Sequence, residues 1–381
     1  CRRFKKMQDY FDAYRIDHIL GFFRIWQMPK TAVWGLTGHF CPALPYSMDD
    51  LWNMGVKLDY DRIVKPYIRS NFLGDVFGYD TEEAKEHFLN TNDGYIYWFK
   101  DEFDTQQKIQ EWYDRLPADE QEKKRNLLNG LMYLHCEVLF VVDQQNHYLL
   151  HPRIFLMSSH SYNELWDDQK RVLEQIHNDY FYHRHNEFWR ESALKKLPTL
   201  INSTDMLVCG EDLGMIPECV NPVMLQLGIL SLEIQRMPKT FTEFADLQEI
   251  PYTSICATSS HDTSTIRGWW EENRESTQRY FNNWLNQKGK APAHANEKIC
   301  KQIIDSHLQS PAMCAMMPIQ DFFALESELR VKNVEQERIN VPANPRNYWK
   351  YRMHIDIEKL RKMKSFNSLI RQMLDESGRL M

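Results

Sequence analysis

Residues 14–18 read Tyr14-Arg15-Ile16-Asp17-His18, with Gly21 and Trp26 close behind. A short apolar lead-in that stops at a glycine predicts a buried strand delivering Arg, Asp and His side chains to a rim. Side chains alternate along a strand, so Arg15 and Asp17 are expected on one face. A guanidinium beside a carboxylate favours the ionised form, the form able to attack carbon or stabilise a developing cation. Taken alone, so short a pattern is more often a surface ion pair on an ordinary strand. The stretches further along decide between the two readings.

From Asp205 onward the sequence acquires a regular rhythm. MLVCGED (206–212), ILSLEIQ (229–235), YTSICATSSHD (252–262) and AMCAMMPIQ (312–320) are short, nearly continuous apolar runs. Between them lie helical patterns: one opening after Pro217, others near 264–286 and 293–308, and FFALESELR following the last run. Strands of this kind alternating with helices predict an α/β fold with a parallel sheet covered by helices. With YRIDH as the first, five strands are legible, and their acids fall at the C-terminal ends, as in a (β/α)8 barrel. Five cannot close an eight-stranded barrel, and the chain opens on Cys1 rather than Met. The expectation is therefore the C-terminal part of such a barrel, with N-terminal strands missing and two apolar strand edges open to pairing or aggregation.

Between the first strand and this rhythm, residues 27–70 hold Pro29, Gly35, Gly38, Pro42, Pro45 and Pro66, too many breakers for long elements. Residues 71–150 change character, with a strand in DGYIYWF (93–99), a helical stretch over 104–134 and a hairpin-like pair over 137–152. Residues 167–200 again repeat apolar positions at helical spacing. The predicted organisation is 1–59 for the nucleophile-bearing strand and rim loop, 60–165 for an inserted subdomain, and 166–381 for the remainder of the barrel. Tyr95, Tyr97 and Trp98 are expected in the insertion's own small core.

The 381 residues are 43% apolar and carry a net charge of −7. That balance argues against nucleic acid as a partner and suits a neutral ligand. No apolar run approaches the roughly 20 residues of a membrane span. The eight cysteines are scattered, without a CxxC pair or metal-like Cys/His spacing, which predicts reduced thiols and a cytoplasmic protein. The 11 Trp and 18 Tyr are compatible with sugar-stacking surfaces, although aromatics are more often core.

Two further strand ends carry acids. Gly210-Glu211-Asp212-Leu213-Gly214 follows one strand, and Ser259-Ser260-His261-Asp262-Thr263 ends another. Either could simply cap the next helix. A carboxyl at the closed end of a buried strand is partly desolvated, however, and suited to proton donation. A retaining glycosidase needs one ionised nucleophile and one proton donor about 5–5.5 Å apart. Asp17 fits the first role and Glu211 the second. Asp262 with His261 would bind the hydroxyls beside the reacting carbon, and no metal or other cofactor is required.

YRIDH, GEDLG and SSHDTST, in that order, resemble the 4-α-glucanotransferase family (amylomaltase, or disproportionating enzyme). The longer strings CGEDLGMIPECVNPVMLQLG, EIQRMP, SSHDTSTIRGWW and INVPANPRNYW (339–349) are similar to its plant cytosolic branch and bacterial relatives. The resemblance implies a retaining transferase acting on an α-1,4-glucan or maltooligosaccharide donor and a glucose, oligosaccharide or glycan acceptor. It implies Asp17 as nucleophile, Glu211 as acid/base and Asp262 as the third acid. Arg15, His18, His261 and Trp26 become substrate-side supports. Ile19-Leu20-Gly21 and Thr263-Ser264 depart from the family's commoner residues, which bears on acceptor preference. An α-glucan hydrolase shares all these residues and differs in water exclusion. A glucan-binding fragment without turnover is the remaining alternative.

Overall fold

The computed structural model describes residues 2–380. They fold as α/β in two compact units, one comprising Cys1–Ile19, Leu197–Ile216 and Val220–Met381, the other Leu20–Lys196 with Pro217–Cys219.

In the first unit Ala13–Ile16 pairs in parallel with Leu207–Gly210. Ser231–Ile234 pairs in parallel with Ser254–Ala257, and that strand with Cys314–Met316. A parallel bridge from Cys209 to Leu230 joins the two sets, so the spatial order follows the sequence order. These are the five strands the apolar runs predict. Parallel neighbours require crossovers, and Val220–Gln226, Ile266–Glu272, Arg274–Asn283 and Glu297–Leu308 supply helices for two of them. The crossover between 231–234 and 254–257 contains no helix. Asn296 opens 297–308 by accepting the Ile299 N–H. From there Ile299, Ile303, Ile304 and Leu308 recur at helical spacing and bury against Trp270, Tyr280 and Phe323. Full burial of such side chains stabilises by about 1.5–3 kcal/mol each.

Three expectations about the strands and helices of this unit need correction. The opening strand is not a buried one: of its four residues only Ile16 is buried, because among the described residues it pairs with a single neighbour. The helical run over 264–286 is two helices, broken at Asn273, whose extended backbone ends the first while its side chain caps the second through the Glu275 and Ser276 N–H groups. FFALESELR is not a continuous helix; Ile319–Phe323 stops at Ala324, and a short 3-10 turn follows at Ser327–Leu329.

The second unit is built from short antiparallel pairings and helices. Ile25–Gln27 pairs with His39–Cys41. Leu149–Pro152 lies between Tyr46–Ser47 and Phe140–Val142, which confirms the hairpin over 137–152. Ile96–Phe99 lies between Ile68–Arg69 and Leu89–Thr91. The helices Gln106–Asp114 and Ala118–His135 cover a core of Phe72, Leu73, Phe77, Phe88, Ile109 and Leu131. Alternation along 96–99 puts Tyr97 and Phe99 in this core but leaves Trp98, like Tyr95, exposed, contrary to expectation.

Candidate active site

The three acids singled out in the sequence, with Arg15, His18 and His261, all lie in the first unit. The opening strand ends at Ile16, so Asp17 stands in the turn beyond it rather than on the strand's alternating face. It nevertheless meets Arg15, whose Nη1 donates to Asp17 Oδ1 at 2.6 Å. His18 takes a left-handed backbone (φ 47°), which folds the turn back toward the neighbouring strand.

That neighbour ends at Gly210, and Glu211 follows directly. Its N–H donates to the Ile16 carbonyl at 2.9 Å, and its carbonyl accepts from the Ile19 N–H at 3.0 Å, so the backbone brackets the Asp17 turn from both sides. The half-buried side chain completes the tie. Glu211 Oε2 accepts from the His18 N–H at 3.0 Å and Oε1 from the Leu213 N–H at 3.1 Å. Glu211 caps no helix. The fully desolvated carboxyl at this strand end is its neighbour Asp212, which is 0% exposed. Asp212 accepts from the Leu232 N–H at 2.9 Å and from Lys239 Nζ at 2.7 Å.

Asp262 follows the 254–257 strand, two strands further along. It is not a helix cap either, since Thr265 performs that task for 266–272. Asp262 Oδ2 lies 3.2 Å from His261 Nε2, and Oδ1 accepts from Asn340 Nδ2 at 2.6 Å. The Asn340 N–H also donates to the His261 carbonyl, and Asn347 Nδ2 holds the Asn340 amide oxygen at 2.9 Å. The Trp349 ring, 57% exposed, has its centroid 5.2 Å from the His261 ring. The 339–349 string therefore straps the third acid. Beneath the loop, buried Asp321 accepts from Thr258 Oγ1, Ser259 Oγ and the Ile266 N–H, while Arg236 donates to the Thr258 and Ser264 carbonyls. Burial pushes the Asp321 carboxyl up. Sequence reasoning assigned no role to Asn340, Trp349, Asp321 or Lys239; the only signal for the first two was the string that contains them.

Trp26 lies in the second unit, half-buried, with its Nε1–H on the Gly35 carbonyl at 3.0 Å and its ring edge-on to Phe40. The same unit brings together His39, Asp143 and His151, with ligand atoms within 4.8 Å of one another. The two imidazoles stack in nearly parallel planes at 3.8 Å, an arrangement that cannot aim two in-plane lone pairs at one ion. Every ring nitrogen is engaged: His151 with Asp143 and the Tyr180 hydroxyl, His39 with Gln27 and the Phe40 carbonyl. The cluster is a hydrogen-bonded network.

Compared with known protein families, residues 1–358 match the one described as 4-alpha-glucanotransferase. Among curated proteins, the 4-alpha-glucanotransferase DPE2 of Oryza sativa subsp. japonica is 37% identical over 383 residues, spanning 99% of this chain and 40% of that protein. The 4-alpha-glucanotransferase of Chlamydia pneumoniae is 29% identical over 182 residues, 47% of this chain and 34% of its own. The chain thus spans two fifths or less of the length of these relatives. Among solved structures, amylomaltase from Streptococcus agalactiae in complex with acarbose aligns with a TM-score of 0.38 and 15% identity, over 50% of this chain and 35% of that one.

Proposed function

The chain belongs to the 4-alpha-glucanotransferase family, and from that premise we propose that it takes part in transferring glycosyl units between α-1,4-glucans by a retaining double displacement. An Asp17 carboxylate oxygen attacks the anomeric carbon while Glu211 gives its proton to the departing glycosidic oxygen. Glu211 then takes the proton of the acceptor's 4-hydroxyl as that oxygen displaces Asp17. Asp262, steadied by His261 and Asn340, binds hydroxyls of the reacting sugar, where hydrogen bonds strengthen as the ring flattens. Arg15 orients the Asp17 carboxylate through their 2.6 Å contact, and His18 fixes Glu211 through its backbone. Trp26 is assigned to sugar contact on the strength of the family resemblance alone.

The observation carrying this reading is the direct tie between two strand ends: the Glu211 carboxylate is held by the backbone N–H next to Asp17. The finer architecture we infer is a (β/α)8 barrel contributing five parallel strands here, with residues 60–165 inserted between the nucleophile strand and the acid strand. A cytoplasmic setting agrees with the free thiols of the seven cysteines among the described residues; Cys1 lies outside them. No helix of the described residues is long and apolar enough to cross a membrane.

Incubation with maltotriose tests the proposal. Longer and shorter oligomers together with glucose are the expected products. Shorter sugars alone would mean hydrolysis, and binding without products would mean a glucan-binding role. Glu211→Gln should lose transfer from maltotriose yet still form a covalent intermediate from an α-glycosyl fluoride, which leaves without protonation. Equal losses on both donors would remove Glu211 from the acid role.

A further inference from the structure

Where the 207–210 strand ends, its ladder continues. The Leu230 N–H donates to the Val208 carbonyl at 2.9 Å and the Gly210 N–H to the Leu230 carbonyl at 2.8 Å. The next donor on that side, the Leu232 N–H, is accepted by the Asp212 carboxylate at 2.9 Å. A side chain thus occupies the place a backbone carbonyl would take had the strand run on. The main chain is freed to turn at 211, and Glu211 is directed to the Asp17 turn. This substitution puts a carboxylate in a fully buried position, which is unfavourable without a counter-charge. Lys239 supplies it. Its ammonium, on a side chain only 13% exposed, lies 2.7 Å from Asp212 Oδ2 and 2.8 Å from Glu233 Oε1, and the Ser231 hydroxyl steadies Glu233 at 3.0 Å.

We propose that Lys239 is a positioning residue for Glu211: by neutralising Asp212 it holds peptide 211–213 so that the Glu211 carboxylate meets the His18 and Leu213 N–H groups. The inference rests on the reading of Glu211 as proton donor. Lys239 touches neither Asp17 nor the Asp262 cluster, so its loss should fall on the acid-assisted step alone.

The test uses K239M, which keeps the aliphatic stem and removes the charge. That stem borders a cavity of ≈ 600 Å³, so methionine meets no clash. With maltotriose as donor, kcat should fall at least about tenfold, and with an α-maltosyl fluoride, whose fluoride leaves unprotonated, less than about threefold. K239R should restore most of the maltotriose rate. Equal losses on both donors, or no loss, would overturn the assignment. Amide hydrogen exchange gives a second reading that needs no activity. In K239M the His18 and Leu213 amides should exchange at least about tenfold faster while the Ile255 amide is unchanged. Unaltered exchange at His18 and Leu213, or an equal rise at Ile255, would overturn it. Should K239M not fold, the double variant K239M/D212N, which removes the charge together with its counter-charge and retains an oxygen for the Leu232 N–H, should keep His18 and Leu213 exchange within about threefold of the wild type; a rise of at least about tenfold there would overturn the assignment. A wild-type chain with no transfer would defeat the proposed function, while the amide measurement would still decide the role of Lys239.

Discussion

The Asp17 side chain is 77% exposed and its partner Arg15 is also open to water. An ion pair in that setting is worth only about 0–1 kcal/mol, because water screens the attraction and ordering two side chains opposes it. Asp17 therefore does little for the fold, and its chemistry can be separated from stability. Asp17→Asn keeps the shape and removes the proposed nucleophile. We expect transfer to drop by at least about three orders of magnitude, with the unfolding free energy changed by under about 1 kcal/mol. A comparable loss of stability would make Asp17 a structural residue, and near-normal transfer would remove it from the mechanism. Asp212 shows the opposite balance: it is fully buried and held by a backbone N–H and by Lys239. The adjacent acids Glu211 and Asp212 thus differ in burial and in partners, a distinction that the string GEDLG does not display.

At the level of elements, packing can outweigh intrinsic preference, and Gly130 provides a case. It lies within Ala118–His135, where replacing glycine by alanine should add about 1 kcal/mol of helix stability. A methyl group there would, however, stand 2.4 Å and 2.6 Å from ring atoms of buried Phe77. Overpacking of a filled core costs about 1–3 kcal/mol, so Gly130→Ala should lower the unfolding free energy by roughly 1–2 kcal/mol. A raised denaturation midpoint would show that the helix Ser70–Phe77, which carries Phe77, can move away freely. The same tension marks what the sequence could and could not disclose. The strands at 207–210, 231–234 and 254–257 were legible because burial makes them nearly continuous apolar runs, and Glu211 and Asp262 because they follow the ends of such runs. The end of the 319–323 helix was not legible: Arg330 Nε takes the Ala324 carbonyl at 3.0 Å, a partner that only folding brings near. Asn340 was hidden for the same reason, standing 78 residues from the Asp262 carboxylate it holds. Only Ile16 of the opening strand is buried because a strand's exposure depends on how many neighbours it has, which the strand itself does not encode.

Across the whole molecule, the buried ionisable groups are distributed unevenly, and acid should reveal it. In the second unit burial pushes His135, His151, His177 and His185 down to about 4 each, with the neighbouring His39 adding to the effect at His151. An unfolded histidine titrates near 6.5, so each contributes stability that is complete above that pH and is lost as pH falls from 6.5 toward 4. The slope for each is about 1.4 kcal/mol per pH unit across that window. Asp143, held below the ordinary carboxylate range despite its burial by His151 and by backbone N–H bonds, adds a loss of the same sign at lower pH. Among the described residues of the first unit, His307 alone is such a histidine, again pushed down to about 4 by burial. It also holds Asp321 and Glu337, whose carboxyls burial pushes up. A carboxyl raised in the fold binds its proton before the unfolded chain does, so acidification favours the fold there and opposes the His307 loss. Between pH 6.5 and 4.5 the second unit should accordingly open first. Hydrogen exchange followed by mass spectrometry would show amides of 127–134 losing protection at a higher pH than those of 299–308. Simultaneous loss, or loss in the first unit first, would mean that these buried histidines do not govern acid stability.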